Sequence, residues 1–443
     1  MATERRDRAV RAAIEQELLT EEHPVAALLD TDGVRASAAA LRDAFAAVTG
    51  APVLHAFAVK AGPLVPVLRL LYAEGLGAEV ASPGELALAR AAGMPPERIV
   101  LDSPAKTPAE LAGALALGVA VNADNPQELA RLDALVAGAP TRSPIGLRVN
   151  PQIGGGTIDA LSTATPTSKF GVALRDRGAR DQVVRAFLDR PWLTRLHTHT
   201  GSQGVPLSLL ATGVREVYEL AEEINAATVR ATGRRQVDTL DIGGGLPVNF
   251  TSDEETPTFA AYARLLAEQA PGLFDGRYGL VTEFGRSLLA KHGTLLARVE
   301  YTKTSGARPI AVTHAGVQVA TRTVYDPDSW PLRIAAYDAE GRPKDGPPVD
   351  QDVAGPACFA GDLLAVQRPL PPLEPGDVVA ALDTGAYYFT AHYAYNSLPR
   401  PGVHAYTGTA GGARRLVTLR PPQQLPEIVA EAGGAHRDAL LER

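Results

Sequence analysis

The sequence contains one cysteine, two methionines and two tryptophans among its 443 residues. A single thiol excludes an intrachain disulfide and any cysteine-rich metal site. No apolar stretch approaches the roughly 18 residues that a membrane span needs, and the opening MATERRDRAVRAAIEQELL lacks the apolar core of a secretory signal. We therefore expect a cytoplasmic protein with no membrane segment.

The sequence also has no excess of positive charge. The net charge is −7 and the isoelectric point is about 5.8, so no basic face for nucleic acid is expected. Hydrophobic residues make up 45% and charged residues 21%, which favours packed cores over disorder. The length exceeds that of one ordinary domain and predicts two.

Eight short β-rich runs alternate with helical segments from about residue 52 to residue 290. The predicted strands cover 53–60, 77–82, 98–103, 119–124, 145–150, 194–200, 238–244 and 278–284. The segments between them, such as PGELALARAAG, repeat apolar residues at intervals of three and four, as helices do. This alternation predicts an α/β fold with a (β/α)8 TIM barrel over residues 33–292, and an open doubly wound sheet is the alternative.

The sequence changes character after residue 292. Runs such as TLLARVEYTKTSG, ARPIAVTHAGV, GDLLAVQRPLP, GDVVAALDTG and ARRLVTLRPP are short, β-rich and separated by Gly and Pro. They predict a C-terminal antiparallel β domain, a sandwich or barrel, over residues 293–425. An early run at 24–32 is expected to add a strand to it, and residues 339–356 are predicted to form a long surface loop.

Polar residues and two glycines stand at the ends of the predicted barrel strands, where catalytic residues of such barrels lie. They are Lys60, Ser82, Ser103, Asp124, Asn150, His199, Gly243, Gly244 and Glu283. Polar residues also begin loops for structural reasons, and we favour that interpretation for Ser103 and Asp124. Lys60 ends the apolar run HAFAVK, so burial at the barrel mouth would lower the pKa of its amine for attack on a carbonyl. A surface lysine is the alternative.

Three consecutive glycines, Gly243, Gly244 and Gly245, follow the seventh predicted strand. Glycine backbones approach anions closely, and barrels often bind phosphate after strands 7 and 8, although a plain turn also fits. In TEFGR, Glu283 suits a protonated ring nitrogen and Arg286 suits a phosphate or a carboxylate.

The segment HTHTGSQ offers groups for a planar ring and for a phosphate. His199 can stack on a ring, and Ser202 can donate to a phosphate. His197 shares a strand face with His199, as a metal pair would, but no third ligand is near in sequence, so no metal is predicted. A lysine, a glycine nest, a carboxylate and a stacking histidine around one barrel mouth predict pyridoxal 5'-phosphate.

Ten short motifs carry a resemblance to a known family. They are FAVKAG, SPGEL, RVNP, SKFGV, HTHTGSQ, DIGGGLP, EFGRS, GPACFAGD, DTGAY and YNSLPRP. From about residue 24 to residue 420 the sequence resembles the fold-type III pyridoxal-phosphate-dependent decarboxylases, and within them the diaminopimelate decarboxylases more than the ornithine decarboxylases. The resemblance implies an alanine-racemase-like pair of domains, an amino-acid substrate, and a head-to-tail homodimer with shared active sites.

The resemblance also implies roles for individual residues. Lys60 would carry the internal aldimine, Glu283 would keep the ring nitrogen protonated, and Cys358 would donate a proton to the carbon that loses CO2. The other residues implied at the cofactor are His199, Ser202, Gly243, Gly244, Gly245, Gly285, Arg286 and Tyr387. A thiol with the usual pKa of about 8.5 is mostly protonated at neutral pH and can donate. A small buried hydrophobe is the alternative for a lone cysteine.

The predicted substrate end departs from the diaminopimelate decarboxylases. They usually read Cys-Glu-Ser-Gly-Asp where this sequence reads CFAGD, so Phe359 replaces the Glu that would bind the distal ammonium group, which an aromatic ring cannot compensate. Arg322 and Tyr325 also differ in spacing from an Arg-x-x-x-Tyr pair of that subfamily. The residues predicted to meet the substrate are Arg286, Arg322, Tyr325, Phe359, Asp362 and Tyr387.

We therefore expect an amino-acid decarboxylase of altered specificity, of the kind found in secondary metabolism. Its substrate would be a modified, carrier-linked or less polar amino acid. Diaminopimelate decarboxylation proper is the first alternative. A racemase on the same barrel is a second, although it needs another base. A non-catalytic regulator is a third, although such proteins tend to lose groups that persist here as Lys60, the glycines and Cys358.

Overall fold

The structure is a computed structural model that describes residues 2–139, 141–407 and 416–441. The chain divides into two compact units. The barrel unit comprises residues 35–249 and 254–288, and the β unit comprises residues 1–34, 250–253 and 289–443. In the described part of the chain, no helix is long and apolar enough to cross a membrane.

Eighteen strands and twelve α-helices are assigned in the described residues. The strands are β1 (Val25–Asp30), β2 (Val53–Ala58), β3 (Gly77–Val80), β4 (Ile99–Asp102), β5 (Ala120–Ala123), β6 (Ile145–Asn150), β7 (Val172–Ala173), β8 (Leu193–His197), β9 (Thr239–Asp241), β10 (Gly279–Thr282), β11 (Gly293–Ser305), β12 (Arg308–Thr313), β13 (Ile334–Tyr337), β14 (Val349–Ala354), β15 (Leu363–Leu370), β16 (Val378–Leu382), β17 (Gly402–Tyr406) and β18 (Val417–Arg420). The helices are α1 (Ala2–Glu15), α2 (Thr31–Ala46), α3 (Val65–Ala73), α4 (Pro83–Ala91), α5 (Pro108–Leu117), α6 (Pro126–Gly138), α7 (Ala179–Asp189), α8 (Leu207–Thr232), α9 (Phe259–Gln269), α10 (Arg286–Leu289), α11 (Val317–Tyr325) and α12 (Leu425–Glu431).

The barrel unit is built on a closed parallel sheet. Its strands follow the order β5-β4-β3-β2-β10-β9-β8-β6, and pairing of β5 with β6 closes the ring. The short β7 lies beside β6. The predicted (β/α)8 barrel is confirmed, and the alternative of an open doubly wound sheet is wrong because its edges would not pair.

Side-chain caps explain why three of the predicted helices begin where they do. Ser82, Thr107 and Asn125 each accept a hydrogen bond from the backbone N–H three residues later, at 3.2, 3.2 and 3.0 Å. A proline then occupies the first turn of α4, α5 and α6. Each cap satisfies an amide that the helix leaves unpaired, so strand ends and helix starts are separated by very short loops.

The β unit contains a mixed sheet in the order β15-β14-β12-β11-β1-β17-β18, and β16 pairs with both β11 and β13. The pairs β1–β17 and β12–β14 are parallel, and the other pairs are antiparallel. The predicted antiparallel domain therefore includes two parallel pairings. The first three residues of the run ARRLVTLRPP (413–415) lie outside the described residues.

The core of the β unit lies between the sheet and α1. Ala9, Val10 and Ala13 of the helix pack with sheet residues such as Leu28 and Leu296, and all five are fully buried. Burial of apolar side chains at about 25 cal/mol per Å² makes this contact a main source of the unit's stability.

The prediction of a surface loop over residues 339–356 is wrong for its last third. Residues 349–354 form β14 between β12 and β15. Its middle residues Gln351, Asp352 and Val353 are buried. Gln351 donates to the carbonyls of Leu370 and Pro371 at 3.0 and 2.9 Å, and Asp352 pairs with Arg308 at 3.1 Å. These partners are distant in sequence, so no local pattern indicates the strand.

Candidate active site

Lys60 lies in a short 3-10 turn, Val59–Ala61, immediately after β2. Its Nζ lies 2.6 Å from Oε2 of Glu79 on β3, and the Lys60 side chain is 45% exposed. Burial raises the pKa of Glu79 to about 8, while the nearby Lys60 amine opposes that rise. The amine is therefore held by a buried carboxylate and is not desolvated in the way the sequence predicted.

Gly285 allows the segment after β10 to pack closely on the segment that carries Lys60. The backbone N–H of Ala58 donates to the carbonyl of Phe284 at 3.2 Å. A Cβ at Gly285 would stand 2.9 Å from the Cβ of Ala61 and 3.0 Å from that of Ala58. This glycine supports the geometry of the site through packing of the backbone.

Glu283 follows β10 and is 3% exposed. Its Oε2 lies 3.4 Å from Nε2 of His197 and 3.7 Å from Nδ1 of His199. Its Oε1 is buried and accepts no hydrogen bond from any described residue. Burial would raise the pKa of Glu283, but the nearby His197 holds that pKa well below its usual value. The carboxylate is therefore ionised and has one oxygen ready for a donor.

His199 is oriented by the glycine segment. The backbone N–H of Gly244 donates to Nδ1 of His199 at 3.2 Å. In the neutral ring the proton is therefore on Nε2. Burial lowers the pKa of His199, which favours an uncharged ring whose face suits stacking on another flat ring.

The three glycines form a tight turn that only glycine fits. Gly243 and Gly245 have φ angles of +65° and +93°. A Cβ at Gly244 would overlap the carbonyl of Glu283, and a Cβ at Gly245 would overlap the carbonyl of Gly201. The turn needs glycine for this close backbone packing, and the N–H groups of Gly243 and Gly244 donate to Oδ1 of Asp241 and Nδ1 of His199 at 3.1 and 3.2 Å.

We expect Gly245→Ala to lower the free energy of unfolding by about 3 kcal/mol or more, because left-handed strain adds to a backbone overlap. Gly276→Ala is the matched control, since Gly276 has a φ of +91° and no atom within 4 Å of the position that a Cβ would take. It should cost only about 1 kcal/mol. Urea unfolding measures both losses, and equal losses would contradict the role of the overlap.

A group of charged residues inside the barrel was not predicted from the sequence. Arg148 Nη1 lies 2.7 Å from Oδ2 of Asp102, and Nδ1 of His197 lies 3.4 Å from Oδ1 of Asp102. Asp241 accepts a hydrogen bond from Asn122 at 3.0 Å, and burial raises its pKa to about 7. Charged residues within otherwise apolar strands could have indicated this group, because buried charges require partners.

Several other predicted strand-end residues hold backbone N–H groups of the loops around them. Ser82 caps α4, and Ser103 accepts from the N–H of Ala105 at 3.3 Å. Asp124 accepts from the N–H of Gly171 at 3.0 Å, and Asn150 accepts from the N–H of Gln152 at 2.8 Å. These bonds agree with the structural interpretation of Ser103 and Asp124.

Two further predicted cofactor residues belong to the barrel unit. Arg286 is 4% exposed and begins the short helix α10. Ser202 is half-buried, and its backbone N–H donates to the carbonyl of Leu161 at 3.0 Å. The structure therefore places Lys60, His199, Ser202, Gly243, Gly244, Gly245, Glu283, Gly285 and Arg286 in one unit.

The remaining predicted residues belong to the β unit, where Cys358 lies in an aromatic environment. Cys358 is exposed, and its backbone N–H donates to Oδ1 of Asn396 at 2.8 Å. The next side chain, Phe359, stacks on Tyr325 with ring centroids 5.8 Å apart and planes 8° apart. Tyr395 meets the same ring edge-on at 5.5 Å. We call Tyr325, Phe359 and Tyr395 the aromatic cluster.

Asp362 organises the loop that carries Cys358. It is 3% exposed, and its two oxygens accept the N–H groups of Val317 and Ala357 at 2.6 and 2.7 Å. Both oxygens are therefore engaged with backbone, and contact of Asp362 with a substrate stays a prediction.

Arg322 and Tyr387 contact each other in the same unit. The guanidinium of Arg322 lies 4.4 Å from the ring centroid of Tyr387 and 5.1 Å from that of Trp330. Burial lowers the pKa of Arg322. Tyr387 has a φ of +66°, which is rare for a residue with a side chain. The substrate and phosphate roles of this pair also stay predictions.

The barrel residues fit pyridoxal phosphate. An amine can bind its aldehyde, and a glycine turn can approach its phosphate. An ionised carboxylate with an unused oxygen can accept from its ring nitrogen, and a neutral imidazole can stack on its ring. The fold and these groups define a (β/α)8-barrel enzyme that uses pyridoxal phosphate.

The family model "Pyridoxal-dependent decarboxylase, pyridoxal binding domain" matches residues 32–290. The chain belongs to this family of decarboxylases. Pyridoxal 5'-phosphate is its cofactor, and it is a carboxy-lyase that acts on an amino acid. The predicted family, cofactor and enzyme class are confirmed.

Relatives of known function agree with this assignment. The chain is 34% identical to the diaminopimelate decarboxylase of Pseudomonas aeruginosa over 80% of its own length and 81% of the relative's. It is 32% identical to that of Actinosynnema pretiosum over 90% and 86%. The crystal structure of the Helicobacter pylori diaminopimelate decarboxylase complexed with L-lysine superposes with a TM-score of 0.80 at 25% identity, covering 95% of this chain and all of the other.

Proposed function

We propose that the protein removes the α-carboxyl group of diaminopimelate or of an amino acid related to it. The observation that carries the proposal is the grouping of the Lys60–Glu79 pair with the unused Oε1 of Glu283 in the barrel. An amine for the aldehyde and an acceptor for the ring nitrogen are the two attachments that pyridoxal chemistry needs. When bound, the cofactor takes up the electron pair that the departing CO2 leaves behind.

The barrel residues have distinct tasks in this proposal. Lys60 attaches the cofactor, and Glu79 holds the amine in place. His199 covers one face of the ring, and Glu283 accepts from the protonated ring nitrogen. The barrel residues proposed to hold the phosphate are Ser202, Gly243, Gly244, Gly245 and Arg286, and the resemblance adds Tyr387 of the β unit.

Cys358 is the proton donor in this proposal. It is exposed and its backbone is fixed by Asn396, which suits a thiol that delivers a proton to substrate carbon. We also propose that the enzyme works as a homodimer with shared active sites, as the resemblance implies. Light scattering on a sizing column measures the mass, and a monomer that retains full activity would contradict the dimer.

Diaminopimelate is the first substrate to consider, because relatives across 80–90% of this chain decarboxylate it. The aromatic cluster favours a second candidate. Phe359, the residue after Cys358, stacks on Tyr325 and meets Tyr395 edge-on. Such a surface favours an apolar, aromatic or methylated distal group over a bare ammonium. That candidate is a decarboxylase for a modified, carrier-linked or less polar amino acid.

The two candidates are separated by CO2 release from a substrate panel with the purified, cofactor-loaded protein. The panel contains meso-diaminopimelate, both enantiomers of lysine, ornithine and arginine, and glutamyl and N-acylated derivatives. Efficient turnover of meso-diaminopimelate to lysine supports the first candidate and contradicts altered specificity. Turnover restricted to the derivatives supports the second.

The variant Phe359→Glu also tests whether Phe359 selects against diaminopimelate. We expect the variant to raise kcat/KM for meso-diaminopimelate by roughly 10-fold or more, because a carboxylate then faces the distal ammonium. Tyr301→Glu is the control, since Tyr301 is 64% exposed in β11 and lies outside the aromatic cluster. An unchanged kcat/KM in Phe359→Glu would show that Phe359 does not select the substrate.

A further inference from the structure

We propose that His197 is a positioning residue that keeps the proton of the Glu283–ring-nitrogen pair on the ring. The inference rests on the proposed role of Glu283 and concerns a residue that the fold buries behind the cofactor site. It arises from a line of four buried side chains of alternating charge.

The line runs from Arg148 on β6 through Asp102 on β4 and His197 on β8 to Glu283 after β10. Its three contacts measure 2.7, 3.4 and 3.4 Å. His197 is 0% exposed, and both of its ring nitrogens face carboxylates. At 3.4 Å neither nitrogen makes a hydrogen bond to a described residue, so the contacts are electrostatic. Two flanking carboxylates favour the positively charged imidazolium over the neutral ring, which has only one N–H.

The surrounding charges support the imidazolium. Burial alone would lower the pKa of His197, but Asp102, Glu283 and Asp241 raise it well above its usual value. Asp102 is itself kept ionised, because Arg148 and His197 lower its pKa against the effect of burial. The other titratable groups around the line are Glu79, Lys60 and His199.

The effect of the imidazolium on the shared proton depends on its distance from Glu283 and from the ring nitrogen. The imidazolium is in direct contact with Glu283, whereas any group that hydrogen-bonds to the unused Oε1 lies beyond the carboxylate. A positive charge lowers the proton affinity of its nearer neighbour more. The proton shared between Glu283 and a ring nitrogen is therefore driven onto the ring. Without the imidazolium, burial would favour a protonated Glu283 beside a neutral ring.

Asp102, His197 and Glu283 also lie close enough for one metal ion, with ligand atoms within 4.8 Å of one another. Arg148 already supplies a cation to Asp102 at 2.7 Å, and a divalent ion would add to that positive charge. The arrangement therefore fits charge alternation better than metal binding. Metal analysis of the purified protein decides this point, and a stoichiometric ion would overturn the proposal.

The test is nitrogen-15 NMR of protein loaded with pyridoxal phosphate labelled at the ring nitrogen. We expect a pyridinium signal in the wild type and a shift towards neutral pyridine in His197→Gln. Infrared difference spectra should show a new protonated carboxyl band in His197→Gln that is absent after further substitution of Glu283→Gln. Asp102→Asn should shift the nitrogen signal in the same direction by a smaller amount, and it serves as the second variant if His197→Gln does not fold.

His55→Gln is the matched control. His55 is also a buried histidine on a barrel strand, with Nδ1 2.9 Å from Oγ1 of Thr282, but it packs against Phe45 and takes no part in the line. It should retain the pyridinium signal. A pyridinium signal in both His197→Gln and Asp102→Asn overturns the proposal for His197. A neutral ring in the wild type instead contradicts the role of Glu283, so the two failures are distinguishable.

Discussion

Replacement of Lys60 by alanine should abolish covalent attachment of the cofactor and reduce CO2 release to the limit of detection. Lys60 is the amine that the barrel presents beside a buried carboxylate. The variant should still fold, because the pKa of Glu79 is already raised to about 8 by burial. Loss of the Lys60 cation raises the pKa of Glu79 further, so Glu79 is neutral at pH 7 and leaves no buried, unpaired charge.

Borohydride reduction followed by peptide mass spectrometry measures the attachment directly. The wild type should carry a pyridoxyl group on the peptide that contains Lys60, and Lys60→Ala should carry none. Lys303→Ala is the control, since Lys303 is exposed at the far end of β11 and its loss should leave labelling and activity unchanged. A pyridoxyl group on another lysine of the active wild type would contradict the assignment.

Replacement of Cys358 by alanine should slow decarboxylation by about 10²- to 10⁴-fold, the usual worth of a positioned general acid. Cofactor attachment should survive, because that step depends on Lys60. Any residual reaction should place its proton with less stereochemical control, since water then supplies it. Turnover in deuterium oxide followed by NMR of the product measures both the rate and the stereochemistry.

Alkylation of the thiol provides a chemical control for this prediction. Cys358 is its single cysteine and is exposed, so a thiol reagent such as iodoacetamide modifies one site only. We expect the reagent to inactivate the wild type and to leave the residual rate of Cys358→Ala unchanged. Full activity after complete alkylation would exclude the thiol as the proton donor.

The barrel could be predicted from the sequence because its signals are local. Each strand is a short β-rich run, and each helix start carries its own cap, as at Ser82 and Thr107. Because parallel strands bring their carboxyl ends to one edge, Lys60, His199 and Glu283 could be grouped without knowledge of any contact. The predicted end of β2 is too late, since Lys60 lies in a 3-10 turn after that strand, whereas the predicted bounds of β6 are correct.

The charged interior could not be predicted in the same way. Glu79, Asp102 and Arg148 were visible within apolar strands, but their partners depend on which strands face each other across the barrel. For the same reason β14 could not be predicted, because the partners of its polar side chains are distant in sequence. Local sequence patterns are sufficient to predict strands and helices. The partners of buried polar groups are set only when the barrel closes and brings distant strands together.

The position of β1 has a consequence for how the protein is made. In the sheet, Ala26 pairs with Leu296 on one side and with Gly402 on the other. The ribosome makes β1 before the barrel strands, and it makes both sheet neighbours of β1, β11 and β17, after them. The nascent chain must therefore carry β1 as an unpaired, apolar strand until β11 has been made, while the barrel residues emerge and can fold behind it. An exposed edge of that kind is a natural place for a chaperone to bind during elongation.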